Sequence, residues 1–353
     1  MQRPKAHHFV PVAHLARFSG DSDSVSPRDR QLHVFDKRSG AYRTSRASKV
    51  AFENDLYTMR FPDLSALEPD PLQLLHAVFD PANKDSGIES DKAEIEERGL
   101  LAIREIESWP SGPRGLTEDE RAPFLSYVGL LLAQHPTTME ARRALITERF
   151  WAVAERRIKR HPMLERLGVE WDRGAGALAV VFDGLALALE LNYLAWKVVR
   201  WASPRLVLGD VAAAAWYPGA PLGIGHPWRP PSKLIIPISP TTAVILGEIG
   251  PGICLVEDRG VSNAEVDALN VISWARAKSE VYALAREDLE RVASQLGPLS
   301  PTASHSRQLA IRESVLPAFT LDAKGNLHVR HPDPPDPVET RRRFDAGFRA
   351  VDP

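Results

Sequence analysis

The 353-residue chain has a single cysteine, Cys254, which leaves no disulfide framework and no cysteine-built zinc site within one chain. Its setting, Gly252-Ile253-Cys254-Leu255-Val256, is that of a small buried strand residue. An excess of one charge is also lacking: 44 Lys and Arg stand against 46 Asp and Glu, for a net charge of −2. No global basic field therefore draws the chain to nucleic acid or to an anionic membrane, although a local basic groove stays open. No window reaches the ~18 uninterrupted apolar residues of a membrane span. The nearest, Ala175 to Trp201, is broken by Asp183, Glu190, Asn192 and Lys197 and reads as a long buried helix. The start, MQRPKAHHFVP, lacks the ~7–15 residue apolar stretch of an export signal, so a cytoplasmic protein without a membrane partner is expected. No Gly-rich phosphate loop, HExxH pair or GxSxG elbow occurs.

The apolar residues that are present alternate between two periods. Residues 1–60 read as an N-terminal module. It begins with a short helix over Val12 to Phe18 after Pro11. A β-hairpin follows, Leu32-His33-Val34-Phe35-Asp36 and Ala41-Tyr42-Arg43-Thr44 around Lys37-Arg38-Ser39-Gly40. Ala51 to Tyr57 reads as a helical turn or an extended piece. Residues 70–203 read as a helical core. Ile95, Leu100, Ile103 and Ile106 recur at helical spacing between Glu89 and Trp109, and Pro110 to Gly115 forms a loop. Thr117 with Glu120 makes a capping box for a helix that is apolar on most sides from Leu125 to Gln134. Pro136 interrupts it, and a charged helix follows from Met139 to Arg160.

Between 205 and 257 the pattern becomes short apolar runs bounded by Gly and Pro, which read as strands. Trp216 to Pro231 reads as an ordered loop. Ser262 with Glu265 opens a helix to about 283, and another runs from about 286 to 296. The stretch Pro332-Asp333-Pro334-Pro335-Asp336-Pro337 places 298–353 in a peripheral or partly disordered tail. The expected architecture is one α+β domain over 1–297. It has a mainly helical core and a small mixed or antiparallel sheet, built from the N-terminal hairpin and residues 205–257.

Six residues can carry chemistry. His7 and His8 are adjacent, and in a strand they point to opposite faces, so both reach one ion only in an irregular segment. With a carboxylate from Glu53, Asp55 or Asp210 they suit a divalent metal in phosphodiester hydrolysis. The alternative is a histidine hydrogen-bonded in a core seam. Gln134 ends the apolar helix, and its amide either caps that helix or meets substrate. Arg142 either holds phosphate in bidentate fashion or solvates a surface. Asp210, after Leu206-Val207-Leu208-Gly209, is a site carboxylate or a turn former. Asn270 shares an apolar helical face with Val266, Ser273 and Trp274 and must find partners there.

These stretches, in this order, resemble the bacterial domain-of-unknown-function family 4238 over roughly residues 5–285. The resemblance rests first on His7-His8-Phe9-Val10-Pro11 with Leu15, Arg17 and Phe18. It continues through Glu53-Asn54-Asp55-Leu56-Tyr57-Thr58, Gln134 with Thr138 and Arg142, Leu208-Gly209-Asp210 with Pro237-Ile238-Ser239-Pro240, and Leu269-Asn270 with Ala283 closing that helix. This chain departs from the pattern at His14, Thr137, Met139, Gly209 and Ala212, where the family carries an aromatic, Arg, Pro, Ser and Pro. The resemblance implies a shared pocket for the six residues and a role as an anti-phage defence effector.

Two readings follow. In the first, the chain is a hydrolase, nuclease- or phosphodiesterase-like, acting on nucleic acid or nucleotide. His7 or His8 is then general base or metal ligand, and Asp210 orients that histidine or completes a divalent-metal site. Arg142 binds phosphate, while Gln134 and Asn270 position substrate. In the second, the chain is a non-catalytic sensor or interaction module whose His-His motif pins the N-terminus to the helical core.

Overall fold

A computed structural model describes residues 6–54, 56, 86–136, 139, 180, 184–216, 233–260, 263–296, 318–321 and 327–330. Arg142, Asp55, Tyr57, Thr137, Thr138 and Ser262 lie outside these residues. So do nearly all of the Met139 to Arg160 helix, the Trp216 to Pro231 loop and most of the tail, of which strands Ala318–Leu321 and Leu327–Arg330 are described.

The chain enters as a short strand, β1 (Ala6–His8), and turns at Pro11 into α1 (Val12–Leu15) with one further 3-10 turn. Pro11 suits this place because a helix's first turn needs no donor there, and its carbonyl accepts from the amides of His14 and Leu15. The hairpin is as expected: β2 (Gln31–Asp36) pairs antiparallel with β3 (Ala41–Arg46). Asp36 builds the turn by accepting the Arg38 and Ser39 amides at 2.8 and 3.2 Å, and Gly40 supplies the positive φ of 70° that closes it. β4 (Phe52–Asn54) then lies antiparallel to β1.

Two helices form the middle of the core. α2 (Ser86–Ser108) packs on α3 (Glu118–Ala133). The capping box is present: Thr117 accepts the Glu120 amide while the Glu120 carboxylate accepts the Thr117 amide. Phe124, Tyr127, Val128, Leu130 and Leu131 bury most sides of α3, so it sits centrally. Gly129 of α3 meets α4 (residues 184–191) backbone to backbone, and a Cβ at Gly129 would overlap the Gly184 carbonyl oxygen.

The fold class is α+β, with helices and sheets both contributing, so that the core is not clearly mainly helical. The helix expected over Ala175 to Trp201 ends at residue 191, and Leu194–Trp201 is β6. β6 is paired on both edges, by β10 (Thr242–Ile249) and in parallel by β11 (Ile253–Arg259). A strand buried at the centre of a sheet reads as a continuous apolar run, which periodicity alone does not distinguish from a buried helix. The loop expected at Pro110 to Gly115 contains β5 (Gly112–Gly115), which pairs antiparallel with β11 at the sheet edge, where a proline is tolerated.

The strands expected to form one small sheet divide between two sheets, separate from the two-stranded β1–β4 pair. The larger is mixed, with strand order β5-β11-β6-β10-β9-β8, where β9 is Lys233–Ser239 and β8 is Ala214–Trp216. The hairpin belongs to the other, of order β3-β2-β12-β7, with β7 at Leu208–Gly209 and β12 at Glu280–Ala283. The helix expected to run from 262 to 283 is thus α5 (Asn263–Arg276), and Ala283 lies in a strand rather than closing a helix. α6 (Arg286–Leu296) follows as expected. Among the described residues, no helix is long and apolar enough to cross a membrane.

Candidate functional site

The adjacent histidines of β1 point to opposite sides of the strand, as period-two geometry requires. His7 stands opposite Glu53 and is buried, at 3% exposure. His8 stands opposite Phe52 and its ring tilts against that phenyl, with centroids 5.6 Å apart. The His8 Nδ1–H donates to the Val50 carbonyl at 3.1 Å. Burial lowers the His8 pKa to about 4, against the pull of that bond, with the charges of Lys92 and Arg28 adding to the lowering. At neutral pH the ring is neutral. The strand itself is fastened to the helices, because Lys92 Nζ donates to the His8 carbonyl at 2.8 Å and Gln134 Nε2 to the Phe9 carbonyl at 2.7 Å. Gln134 is therefore both the C-cap of α3 and the tether of the His-His-Phe segment.

His14 is the tightest node of this corner. It is fully buried, Nε2–H donates to the Pro237 carbonyl at 2.9 Å, and Nδ1 accepts from the Tyr127 hydroxyl at 2.8 Å. One neutral tautomer satisfies both bonds. Burial lowers its pKa to about 4, and the Pro237 bond only partly offsets that. Arg17 adds a bond to the Ile238 carbonyl at 2.7 Å and an ion pair with Glu107. The opening motif is thus stapled to β9, α2 and α3 at once. The resemblance named Arg17 and marked His14 as a departure, but their partners lie from 90 to 223 residues away in sequence.

Asp210 is buried and holds the turn between α5 and β12. Its Oδ1 accepts the Lys278 amide at 2.6 Å, and its Oδ2 accepts the Ser279 and Glu280 amides at 2.7 and 3.1 Å. Lys37 clamps the same turn from the carbonyl side, donating to Trp274 at 2.8 Å and Ala277 at 2.6 Å, where a cation complements the helix C-terminus. Burial raises the Asp210 carboxyl pKa, and the three amides and the Lys37 charge pull the other way. Asn270 ties α5 to the segment before β7: its Oδ1 accepts the Val207 amide at 2.9 Å and its Nδ2 donates to the Arg205 carbonyl at 2.8 Å. These bonds fasten the helix to the backbone ahead of the strand, and Asn270 is not among the residues that line the cavity beside the Asp210 turn.

A cavity of about 380 Å³ opens between the N-terminal arm and the Asp210 turn. Phe9, Phe52, His135 and Pro136 give it apolar walls, with Asp210 at its side and Arg38, Lys49 and Lys278 among its cations. Phe9 meets the buried His135 edge-on, with centroids 5.1 Å apart. Burial, and then the charge of Lys278, lowers the His135 pKa to about 3. Ala51, another wall residue, has a φ of 50°, a rare backbone for a residue with a Cβ. Of the six candidates, Asp210 lines this cavity, His8 and Gln134 hydrogen-bond to the lining residues Val50 and Phe9, His7 pairs with the lining residue Glu53, Asn270 bonds to Val207 and Arg205, and Arg142 lies outside the described residues. The lining includes neither His7 nor His8. Sequence reasoning did not single out His135 or Lys278, and the signal for His135 was its place directly after Gln134, where α3 ends against Pro136. No cluster of three metal-ligating side chains occurs among the described residues.

Residues 6–287 match the family described as "Protein of unknown function (DUF4238)". That span covers well over half of the chain, so the chain belongs to this family. No curated protein and no solved structure matches it.

Proposed function

We propose that this DUF4238 member is a non-catalytic recognition module whose His-His motif is structural and whose ligand occupies the cavity between Phe9, His135 and the Asp210 turn. The observation that carries this reading is the engagement of Asp210, whose two oxygens already receive three backbone amides. A carboxylate engaged in this way fixes a wall and has little capacity left to orient a histidine or bind a metal. His8 fits the same reading, since a ring with its pKa near 4 and its Nδ1 committed to Val50 is a weak general base at neutral pH. The cavity volume falls in the range of small-molecule sites, and its ring-lined walls suit a flat apolar body with a polar edge. Asp36 and Glu280 at its side are spent on protein donors: Asp36 on its own turn, and Glu280 on Arg43 and the Tyr282 hydroxyl.

Adenosine and AMP, titrated while the His135 ring signals are followed by NMR, test the reading. Saturable shifts with no product formed, in the presence of Mg²⁺ and of Mn²⁺, support it. Turnover of AMP that disappears in folded His7→Ala and Asp210→Ala variants overturns it and restores a hydrolase with those residues at its centre.

A further inference from the structure

The chain as a whole is close to neutral, but residues 28–49 hold seven cationic side chains against two carboxylates. Three of the seven are committed: Lys37 to the end of α5, Arg30 to Asp23, and Arg43 to Glu280. Arg46 meets Asp29 at 3.4 Å, but both side chains are more than half exposed, so that pair is weak and screened. Arg28, Arg38 and Lys49 are exposed and form no ion pair among the described residues.

These four cations lie along one structural unit. Arg38 stands at the hairpin tip and Arg46 at the far end of β3, the edge strand of its sheet. Six residues of strand extend about 20 Å, the axial length of roughly six base pairs. The 3-10 turn after β3 brings Lys49 back to the cavity, where it and Arg38 share the lining, and the Ser48 amide donates to the Arg28 carbonyl at 3.3 Å.

We propose that the β2–β3 hairpin, with the turn that follows it and the segment at Arg28 bonded to that turn, is a docking surface for a nucleic-acid phosphate backbone that crosses the mouth of the cavity. This extends the recognition reading above and rests on it. Charge complementarity selects the partner, and three of the four side chains are arginines, whose planar forks match phosphate oxygens. An anionic membrane fits less well. Interfacial binding needs apolar area to bury, and the exposed large apolar residues among those described, Leu101, Leu185, Leu189, Tyr193 and Ile253, all lie outside 28–49.

Fluorescence anisotropy with labelled 20-nucleotide single strands and 20-base-pair duplexes, of DNA and of RNA, tests the surface on the full chain. Four phosphate contacts make duplex affinity fall roughly a hundredfold between 50 and 200 mM salt. The quadruple variant Arg28→Gln, Arg38→Gln, Arg46→Gln and Lys49→Gln alters exposed side chains only. Its expected result is at least a tenfold loss of affinity at 50 mM and a markedly flatter salt slope. Absence of binding at 50 mM salt, an unchanged slope in the quadruple variant, or tighter capture by phosphatidylserine vesicles than by either nucleic acid overturns the proposal. Cleavage of the labelled strand on a denaturing gel would instead overturn the non-catalytic reading while leaving the surface in place.

Discussion

The imidazole of His14 and the hydroxyl of Tyr127 share a 2.8 Å hydrogen bond inside the core, joining the N-terminal helix to the central helix across 113 residues of sequence. Because Nε2–H is committed to Pro237, Nδ1 must accept, and Tyr127 is its donor. Tyr127→Phe keeps the ring and its packing but leaves a buried acceptor without a partner. The expected cost is about 1–3 kcal/mol of unfolding free energy, read as a lower urea midpoint with an unchanged m-value. A variant as stable as the parent would show that this bond adds nothing to the docking of the opening motif.

The depressed histidines set a pH dependence whose sign follows from linkage. His14 has a pKa of about 4 in the fold and 6.5 in the unfolded chain, so below 6.5 the unfolded chain takes up the proton first. The stability it contributes is complete above about pH 6.5 and declines as the pH falls toward 4, by roughly 3 kcal/mol for this group alone. His135, with its pKa near 3, acts in the same direction and extends the loss to lower pH. Denaturant melts from pH 7.5 to 4.5 should show the decline, and His14→Gln should flatten it between pH 6.5 and 4.5. A stability that is flat or rises over that range would contradict the buried neutral tautomer.

How far the fold was legible depended on whether the cause was local. The capping box at Thr117, the Asp36–Gly40 turn and the apolar α3 follow from neighbouring residues, and each stands where the sequence placed it. The end of α5 does not. Nothing near Arg276 stops a helix, and the chain leaves it because Asp210, 68 residues earlier, holds the Lys278 amide and Lys37 holds the last carbonyls. β6 is a similar case, since its two-sided burial between β10 and β11 exists only once the sheet has formed. The candidate residues were visible as polar groups in apolar settings. Their sequence setting could not separate a residue that binds a ligand from one that binds the backbone, and for Asn270 and Gln134 the structure shows backbone partners.

Backbone contact between α3 and α4 gives a steric prediction. Gly129 has no room for a methyl group, because the Gly184 carbonyl oxygen occupies that place. Gly129→Ala gains helix propensity of about 1 kcal/mol yet must push two packed helices apart. The net result should be a loss on the order of 1–3 kcal/mol, measured by thermal or urea unfolding. A more stable variant would mean that α4 can move away without cost.

Asp210→Asn separates a structural from a reactive carboxylate. In either flip, the asparagine Nδ2 points a donor at amides that are themselves donors: Lys278 in one orientation, Ser279 and Glu280 in the other. At least one buried N–H loses its partner together with the charge that strengthened the remaining bonds, for an expected loss of about 2–3 kcal/mol. The turn is shared by α5, β12 and the cavity wall, so the damage should be visible in hydrogen exchange as faster opening of the 278–280 amides and of the α5 end. A residue held in place for chemistry would behave differently, leaving the Asn variant as stable as the parent and as well protected at these amides. Exchange protection at 278–280 therefore reports on what Asp210 does without knowledge of any ligand.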